Sequence, residues 1–252
     1  MNWDSTVIKN LFDLYSASEE VSSDVSILHT DSFKIIYSKN SCWPNIVYDL
    51  DKNNFNENSL AILCKLLVEK KFHSLIIGPD SNELIKLLRT SYILPINQWL
   101  CMYKELDKYR SLLFYEDAYT IIKMDTPDDI TEWVNLVEES LFNGNKLNAA
   151  IFKNLMRANK VTLIAIRNDE KIIGATMIYW GEQHSAGIYM LCTKKEFRGR
   201  GVGKILLDYS FKEILNSKGK FCVLQSTNEA IILYDKMGFT KRDTINLYWK
   251  VK

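Results

Sequence analysis

The stretch Met190-Leu-Cys-Thr-Lys-Lys-Glu-Phe-Arg-Gly-Arg-Gly-Val-Gly-Lys-Ile-Leu-Leu207 decides how this chain is read. It runs from an apolar strand, through a basic turn spaced by glycines, straight into an amphipathic helix. Gly199, Gly201 and Gly203 alternate with Arg200 and Val202, with Arg198 before them and Lys204 after. Residues without a Cβ let the backbone bend tightly and approach a ligand closely. The helix that follows offers free N–H groups and a positive dipole end to an anion. A loop of this build suits a phosphate or pyrophosphate, and so a nucleotide-like cofactor.

Other loops with similar composition fit less well. A dinucleotide fold calls for Gly-x-Gly-x-x-Gly, but Lys204 stands where the third glycine belongs. It also calls for an acidic residue closing the next strand, where Gln225-Ser-Thr stands. A P-loop is one residue short here, and Ile205 replaces its Ser/Thr. An arginine-glycine RNA-binding segment would have aromatic interleaving and no bracketing strand and helix. A plain strand-to-helix turn has no need of three alternating glycines and two arginines.

Working outward, the 252 residues suffice for one large domain or two small ones, and 47% hydrophobic residues with a net charge of +1 describe an ordinary globular protein. That balance argues against a broad nucleic-acid-binding face, which needs clustered Lys and Arg. Only residues 194–204 are locally basic, a site-sized patch. The five cysteines are dispersed and the three histidines far apart, which points to reduced thiols and gives no metal signature. The N-terminus lacks a basic start and a long apolar run, and no stretch reaches the ~18 apolar residues of a membrane span. A cytoplasmic protein is the expectation, with no metal and no membrane or nucleic-acid partner.

The pattern divides softly near Phe114–Ala118, giving residues 1–115 and 116–252. In the second part, Ala118–Lys123 is a β-type run. Thr126-Pro127-Asp128-Asp129 opens a helix, with Thr126 as cap and Pro at the first helical position. A second helix follows over Leu147–Ala158. Val161–Arg167, Lys171–Trp180 and Ser185–Thr193 read as strands joined by hairpin turns. After the glycine loop come a helix over Val202–Ser217, a strand over Phe221–Leu224, a helix over Asn228–Lys236 and a terminal strand pair around Phe239–Lys241 and Ile245–Val251. The first part is vaguer: helices over Asp4–Tyr15, Glu57–Lys71 and Pro79–Arg89, and strands over Val25–His29, Phe33–Tyr37, Asn45–Leu50, Ser74–Gly78 and Gln98–Leu106. It holds no glycine-basic turn and no catalytic cluster, which suggests a support, a lid or one wall of a substrate pocket.

With its glycine loop, the C-terminal order resembles the GNAT superfamily of acetyl-CoA-dependent N-acetyltransferases. The family's pyrophosphate loop, Arg/Gln-x-x-Gly-x-Gly/Ala, stands here as Arg198-Gly199-Arg200-Gly201-Val202-Gly203. A second family signature stands as Ala230-Ile-Ile-Leu-Tyr-Asp-Lys-Met-Gly-Phe239. The resemblance implies an α/β (α+β) fold over 116–252, a mixed, mostly antiparallel central sheet flanked by helices, with an additional N-terminal α/β domain over 1–115. That domain is either a degenerate copy of the same fold or a substrate-side element. It implies acetyl-CoA as acyl donor, an amine acceptor and, as is common in the family, a homodimer. Arg198, Gly199, Arg200, Gly201, Val202, Gly203 and Lys204 would hold the pyrophosphate. Leu191, Cys192 and Thr193 would pair with the pantetheine arm and offer an N–H to the developing oxyanion. Tyr234 would protonate the departing thiolate. Asn228 would contact the cofactor, although it stands six residues before Tyr234 where family members often have Asn seven before. Lys195 replaces the Pro usual after the fourth strand.

The proton acceptor for the amine is left open among Glu138, Glu139, Glu182 and His184. Cys192, at a buried strand end with no base assigned to it, reads better as a core thiol than as a nucleophile. Trp43 and Trp99 read better as core than as pocket walls. The competing function is a coenzyme A-binding sensor or scaffold without turnover.

Overall fold

The computed structural model of the chain describes residues 3–51, 53–69, 75–78, 81–111, 119–182 and 184–251. The division expected between 115 and 116 lies outside them. Helix α1 (Trp3–Val21) leads into strands β1 (Val25–His29), β2 (Lys34–Ser38) and β3 (Ile46–Tyr48), then helix α2 (Glu57–Glu69), β4 (Leu75–Gly78), α3 (Asn82–Thr90) and the long β5 (Ile93–Glu105). The remainder comprises β6 (Tyr119–Lys123), α4 (Pro127–Leu141), α5 (Ala149–Arg157), β7 (Val161–Asn168), β8 (Lys171–Trp180), β9 (Ser185–Thr193), α6 (Val202–Asn216), β10 (Phe221–Ser226), α7 (Ile231–Lys236) and β11 (Thr240–Lys250). A short 3-10 turn over Asn228–Ala230 precedes α7.

All eleven strands form one sheet, in the order β1-β2-β3-β4-β11-β5-β10-β9-β8-β7-β6. The pairing is antiparallel except where β3 meets β4 and β9 meets β10. This is the mixed, mostly antiparallel sheet expected. The order also has a symmetry that the sequence did not disclose. From β1 to β5 the chain makes a three-strand meander, a helix, a parallel strand, a helix and a last strand. From β7 to β11 it does the same again. The last strands are exchanged: β11 pairs with β4 and β5 with β10, both antiparallel, and the two pair with each other along most of their length.

Three features of this layout differ from expectation. The terminal strand pair is a single strand, because β5 supplies its antiparallel partner; the irregularity at Arg242 is a register shift within β11. β5 begins at Ile93 instead of Gln98. Pro95 sits where the pairing slips, opposite the Leu247/Tyr248 shift, a place in a sheet where a missing N–H does least harm. Helix α1 runs six residues past Tyr15. Ser16 and Ser18 look like breakers, yet each hydroxyl bonds back to a carbonyl one turn earlier, Phe12 and Leu14, at 3.3 and 2.8 Å.

Alternating side chains of the strands feed opposite faces. Helices α1, α4 and α5 cover one face, with Trp133, Phe152 and Leu14 buried against Ile36, Cys101, Met177 and Val223. On the other face α6 packs Leu206, Phe211 and Ile214 on Met102, Ile178 and Leu224, while α2 and α3 bury Leu63 and Leu88 against Ile35, Val47 and Tyr248. The Thr126 cap forms as expected: its hydroxyl accepts the Asp129 N–H at 3.2 Å. Helix α1 lies across β9, β10 and β5, and that placement builds the site.

Candidate active site

Strands β9 and β10 run parallel but pair only from Ser185–Phe221 to Gly187–Val223. Beyond Gly187 they part, and the backbone groups of β9 that face β10 lose their strand partner. β9 also carries a bulge there. Met190 adopts φ 53°, and Met190 and Leu191 stand against Thr176 alone between the Tyr189–Met177 and Cys192–Ala175 pairs. A bulge re-aims the backbone next to it, here at the mouth of the opening. The sequence carried no sign of the bulge, since Met190 is neither glycine nor asparagine.

Helix α1 ties the two parted strands together. Tyr189 of β9 donates its hydroxyl to Asn10 Oδ1 at 2.8 Å, and Gln225 of β10 donates its amide to the Val7 carbonyl at 3.1 Å. Asn10 reaches the sheet because residue 187 is glycine: a Cβ there would stand 2.0 Å from Asn10 Oδ1. These residues were not singled out in the sequence, because a lone polar residue on a helix gives no signal of what it faces.

Two cavities flank the bulged segment. The first, about 490 Å³, is bounded by Thr193, Arg198, Gly199, Gly201, Gly203 and Lys204, with Leu233 and Lys236 of α7 opposite. Gly201 stands at the cap position of α6 in the left-handed region, φ 85°, a conformation that costs an L residue with a Cβ roughly 1–2 kcal/mol. No side chain caps this helix; the Lys204 N–H already bonds the Gly201 carbonyl at 2.9 Å, so the N–H groups before it are the ones a ligand can meet. Arg198 donates Nε to the Thr193 carbonyl at 3.1 Å, and the Arg200 guanidinium lies 5.3 Å over the Phe197 ring. A Cβ at Gly203 would stand 3.1 Å from a Leu233 methyl.

The second cavity, about 510 Å³, opens at the parting of the strands. Ile188, Tyr189, Met190, Leu191, Gln225 and Tyr234 form one side of it. Leu11, Tyr15, Trp43, Asn45 and Trp99 come from before residue 115, and Phe142 and Trp249 close it. Trp43 also stacks on Phe152 at 5.3 Å, so it serves core and cavity together. Tyr234 is buried, edge-on to Phe239 at 5.5 Å, and burial drives its phenol well above the ordinary value of 10.0.

The other sequence candidates fall outside this cavity. Asn228 is exposed and lines neither cavity; Thr227 and Ala230 on either side of its turn do reach the second. Glu138 is buried but engaged with Lys146 Nζ and the Leu147 N–H, both at 2.7 Å, where it anchors the turn before α5. Glu139 lines a shallow hollow beside it. Glu182 is exposed and pairs with Lys9 at 3.1 Å, and His184 stands at the far end of β9 from the bulge. Burial pushes the Cys192 thiol up to about 12, which suits a packed thiol and not a nucleophile. Among the described residues no group of side chains is arranged to hold a metal ion, and no helix is long and apolar enough to cross a membrane.

The parallel strand pair parts beyond Gly187, and Gly201 to Lys204 at the start of α6 border the first cavity. Comparison with known proteins names the class. The family model for the acetyltransferase (GNAT) domain matches residues 159–241. Residues 159–241 of this chain carry an acetyltransferase (GNAT) domain.

Among solved structures, the chain is similar to a GCN5-related N-acetyltransferase from Kribbella flavida, with a TM-score of 0.71, 10% identity and 95% of each chain covered. It is also similar to a GCN5-related N-acetyltransferase from Sphaerobacter thermophilus, with a TM-score of 0.63 and 14% identity over 86% of this chain and 79% of that one. A tandem GNAT protein from the clavulanic acid biosynthesis pathway gives 0.58 and 12% over 97% and 94%. At such identities the likeness is one of fold. No curated protein sequence matches the chain.

Proposed function

We propose that the chain is an N-acetyltransferase that moves an acetyl group from acetyl-CoA to a primary amine by direct attack, with both substrates bound. The observation that carries this reading is the parting of β9 from β10 beyond Gly187, between the uncapped glycine start of α6 and a cavity that Leu191 and Tyr234 both line. The N–H groups of α6 and the cations of Arg198, Arg200 and Lys204 suit a pyrophosphate. The backbone of Leu191, Cys192 and Thr193 suits an amide-bearing arm laid alongside as another strand would be.

Acetyl-CoA supplies an activated acyl group as a thioester. A backbone N–H of the bulged segment receives the charge that develops on the carbonyl oxygen, a donor of a kind worth ~3 kcal/mol in other acyl transfers. Tyr234, kept protonated by burial, gives its proton to the departing sulfur. Residues 1–115 act as the acceptor side, a degenerate second copy of the fold; the repeated strand order and the tryptophans they contribute to the cavity support this.

Titration calorimetry with acetyl-CoA, with NADH and ATP as controls, followed by thiol release on a panel of amines, tests the reading. Micromolar binding of acetyl-CoA alone, at one site per chain, with thiol release on at least one amine is expected. Absence of binding in a folded sample would remove it. Binding without release on any amine would instead favour a coenzyme A sensor, a reading that draws on the distance of Glu138, Glu139, Glu182 and His184 from the cavity.

A further inference from the structure

The second cavity is unusual in its chemistry: no Asp, Glu, Lys, Arg or His is found among the described residues that line it. Its polar groups are mostly engaged already. Asn45 accepts the Ser38 N–H at 3.0 Å and donates to the Ser41 carbonyl at 2.6 Å. Tyr189 and Gln225 spend their donors on α1, on Asn10 and Val7. What remains to meet a ligand is mainly the rings of Trp43, Trp99, Trp249, Tyr15 and Phe142 and aliphatic groups, with the uncharged hydroxyls of Tyr15, Thr227 and Tyr234 between them.

Resting on the acetyltransferase reading, we infer that the acceptor is a monoamine carried on an aromatic or branched apolar body, without a carboxylate, a phosphate or a second ammonium group. An anionic acceptor would have to shed its hydration with no cation to meet it, and a polyamine would have to do so with no carboxylate to meet it. Burying an aromatic body against indole rings is favourable in itself.

The same walls account for the missing base. Low-dielectric surroundings disfavour the ammonium form of a bound amine. The acceptor therefore yields one proton to bulk water as it enters and attacks as a neutral amine. Its nitrogen lone pair forms the bond to the acyl carbon, and the carbon–sulfur bond breaks. Tyr234 protonates the sulfur, and the second proton of the nitrogen returns to Tyr234 through water. The balance is one ammonium and one thioester consumed, and one amide, one thiol and one proton released.

The full chain is assayed for thiol release at saturating acetyl-CoA with phenethylamine and tryptamine, each against its carboxylated counterpart, phenylalanine and tryptophan, and against spermidine. Phenethylamine binding is followed separately by the tryptophan emission of the protein. The two arylalkylamines are expected to exceed the others in kcat/KM by about 100-fold, the order of discrimination an apolar pocket gives. Trp99→Ala is expected to weaken phenethylamine about tenfold and leave acetyl-CoA affinity unchanged. Equal or faster turnover of spermidine or of the amino acids would overturn the acceptor class while leaving the transferase standing. Tight acetyl-CoA binding with no amine acetylated and no emission change would overturn both.

Discussion

The chain makes the same turn twice, and only one of the two caps its helix with a side chain. In the N-terminal half β3 leads through residues 49–56 into α2; in the C-terminal half β9 leads through residues 194–201 into α6. Each turn joins a strand to a helix that returns to a parallel neighbour. At the first, Asn56 closes the helix: its side chain accepts the N–H groups of Asn58 and Ser59 at 3.0 and 3.2 Å. Glu57 adds a negative charge in the first turn of the helix. At the second, Gly201 provides no cap, and arginines and a lysine surround it. A helix start either spends its donors on its own side chain or keeps them for a ligand. The comparison teaches that topology sets where a phosphate can bind, and the cap decides whether it does.

Giving the second turn the character of the first should have the largest effect. Gly201→Asp places a Cβ in the left-handed region and a carboxylate against the phosphates. It should weaken acetyl-CoA at least ~100-fold by calorimetry, about 3 kcal/mol, with circular dichroism showing the fold retained. Affinity within threefold of the parent would mean the cofactor lies elsewhere. Next, Tyr234→Phe should lower kcat ~10-fold or more with acetyl-CoA affinity nearly unchanged; full activity would take Tyr234 out of the chemistry.

A third outcome concerns pH. Burial raises the phenols of Tyr15, Tyr189 and Tyr234, all beside the second cavity, above the ordinary 10.0. The unfolded chain therefore releases these protons first, and folding stability is fully present below pH ~10 and falls as pH rises beyond it. Urea melts from pH 8 to 11 read this directly, and a midpoint that held steady to pH 11 would contradict the burial. The smallest effect sharpens the comparison from the other side. Asn56→Ala should cost ~1 kcal/mol of stability, as lost caps do, and leave acetyl-CoA affinity untouched. A change in that affinity would mean that the first turn also takes part in binding.

The part of the site that the sequence discloses is the part made by near neighbours. Gly199 to Lys204 sit in one turn, and Tyr234 sits inside its ten-residue signature. The bulge at Met190, the Asn10–Tyr189 bond and the tryptophans of the second cavity join residues that are ordinary one by one. Trp43 and Trp99 read as core because a large apolar side chain carries no mark of which of its faces is left open. The fold shows the same limit. Helices with clear apolar stripes and caps stand within a few residues of expectation, as α2, α4 and α6 do. The exchange of β5 and β11 stayed hidden because a strand's alternation says that it pairs and not with which strand.

That exchange bears on how the protein comes into being. β4 pairs with residues 246–248, which are synthesised long after it. β5, already synthesised, waits for β10 and β11 before either edge is covered. Chains of this length ordinarily fold domain by domain from the N-terminus as they emerge. Here the edges of β4 and β5 stay open until β11 is in place, and that one eleven-residue strand closes both halves at once.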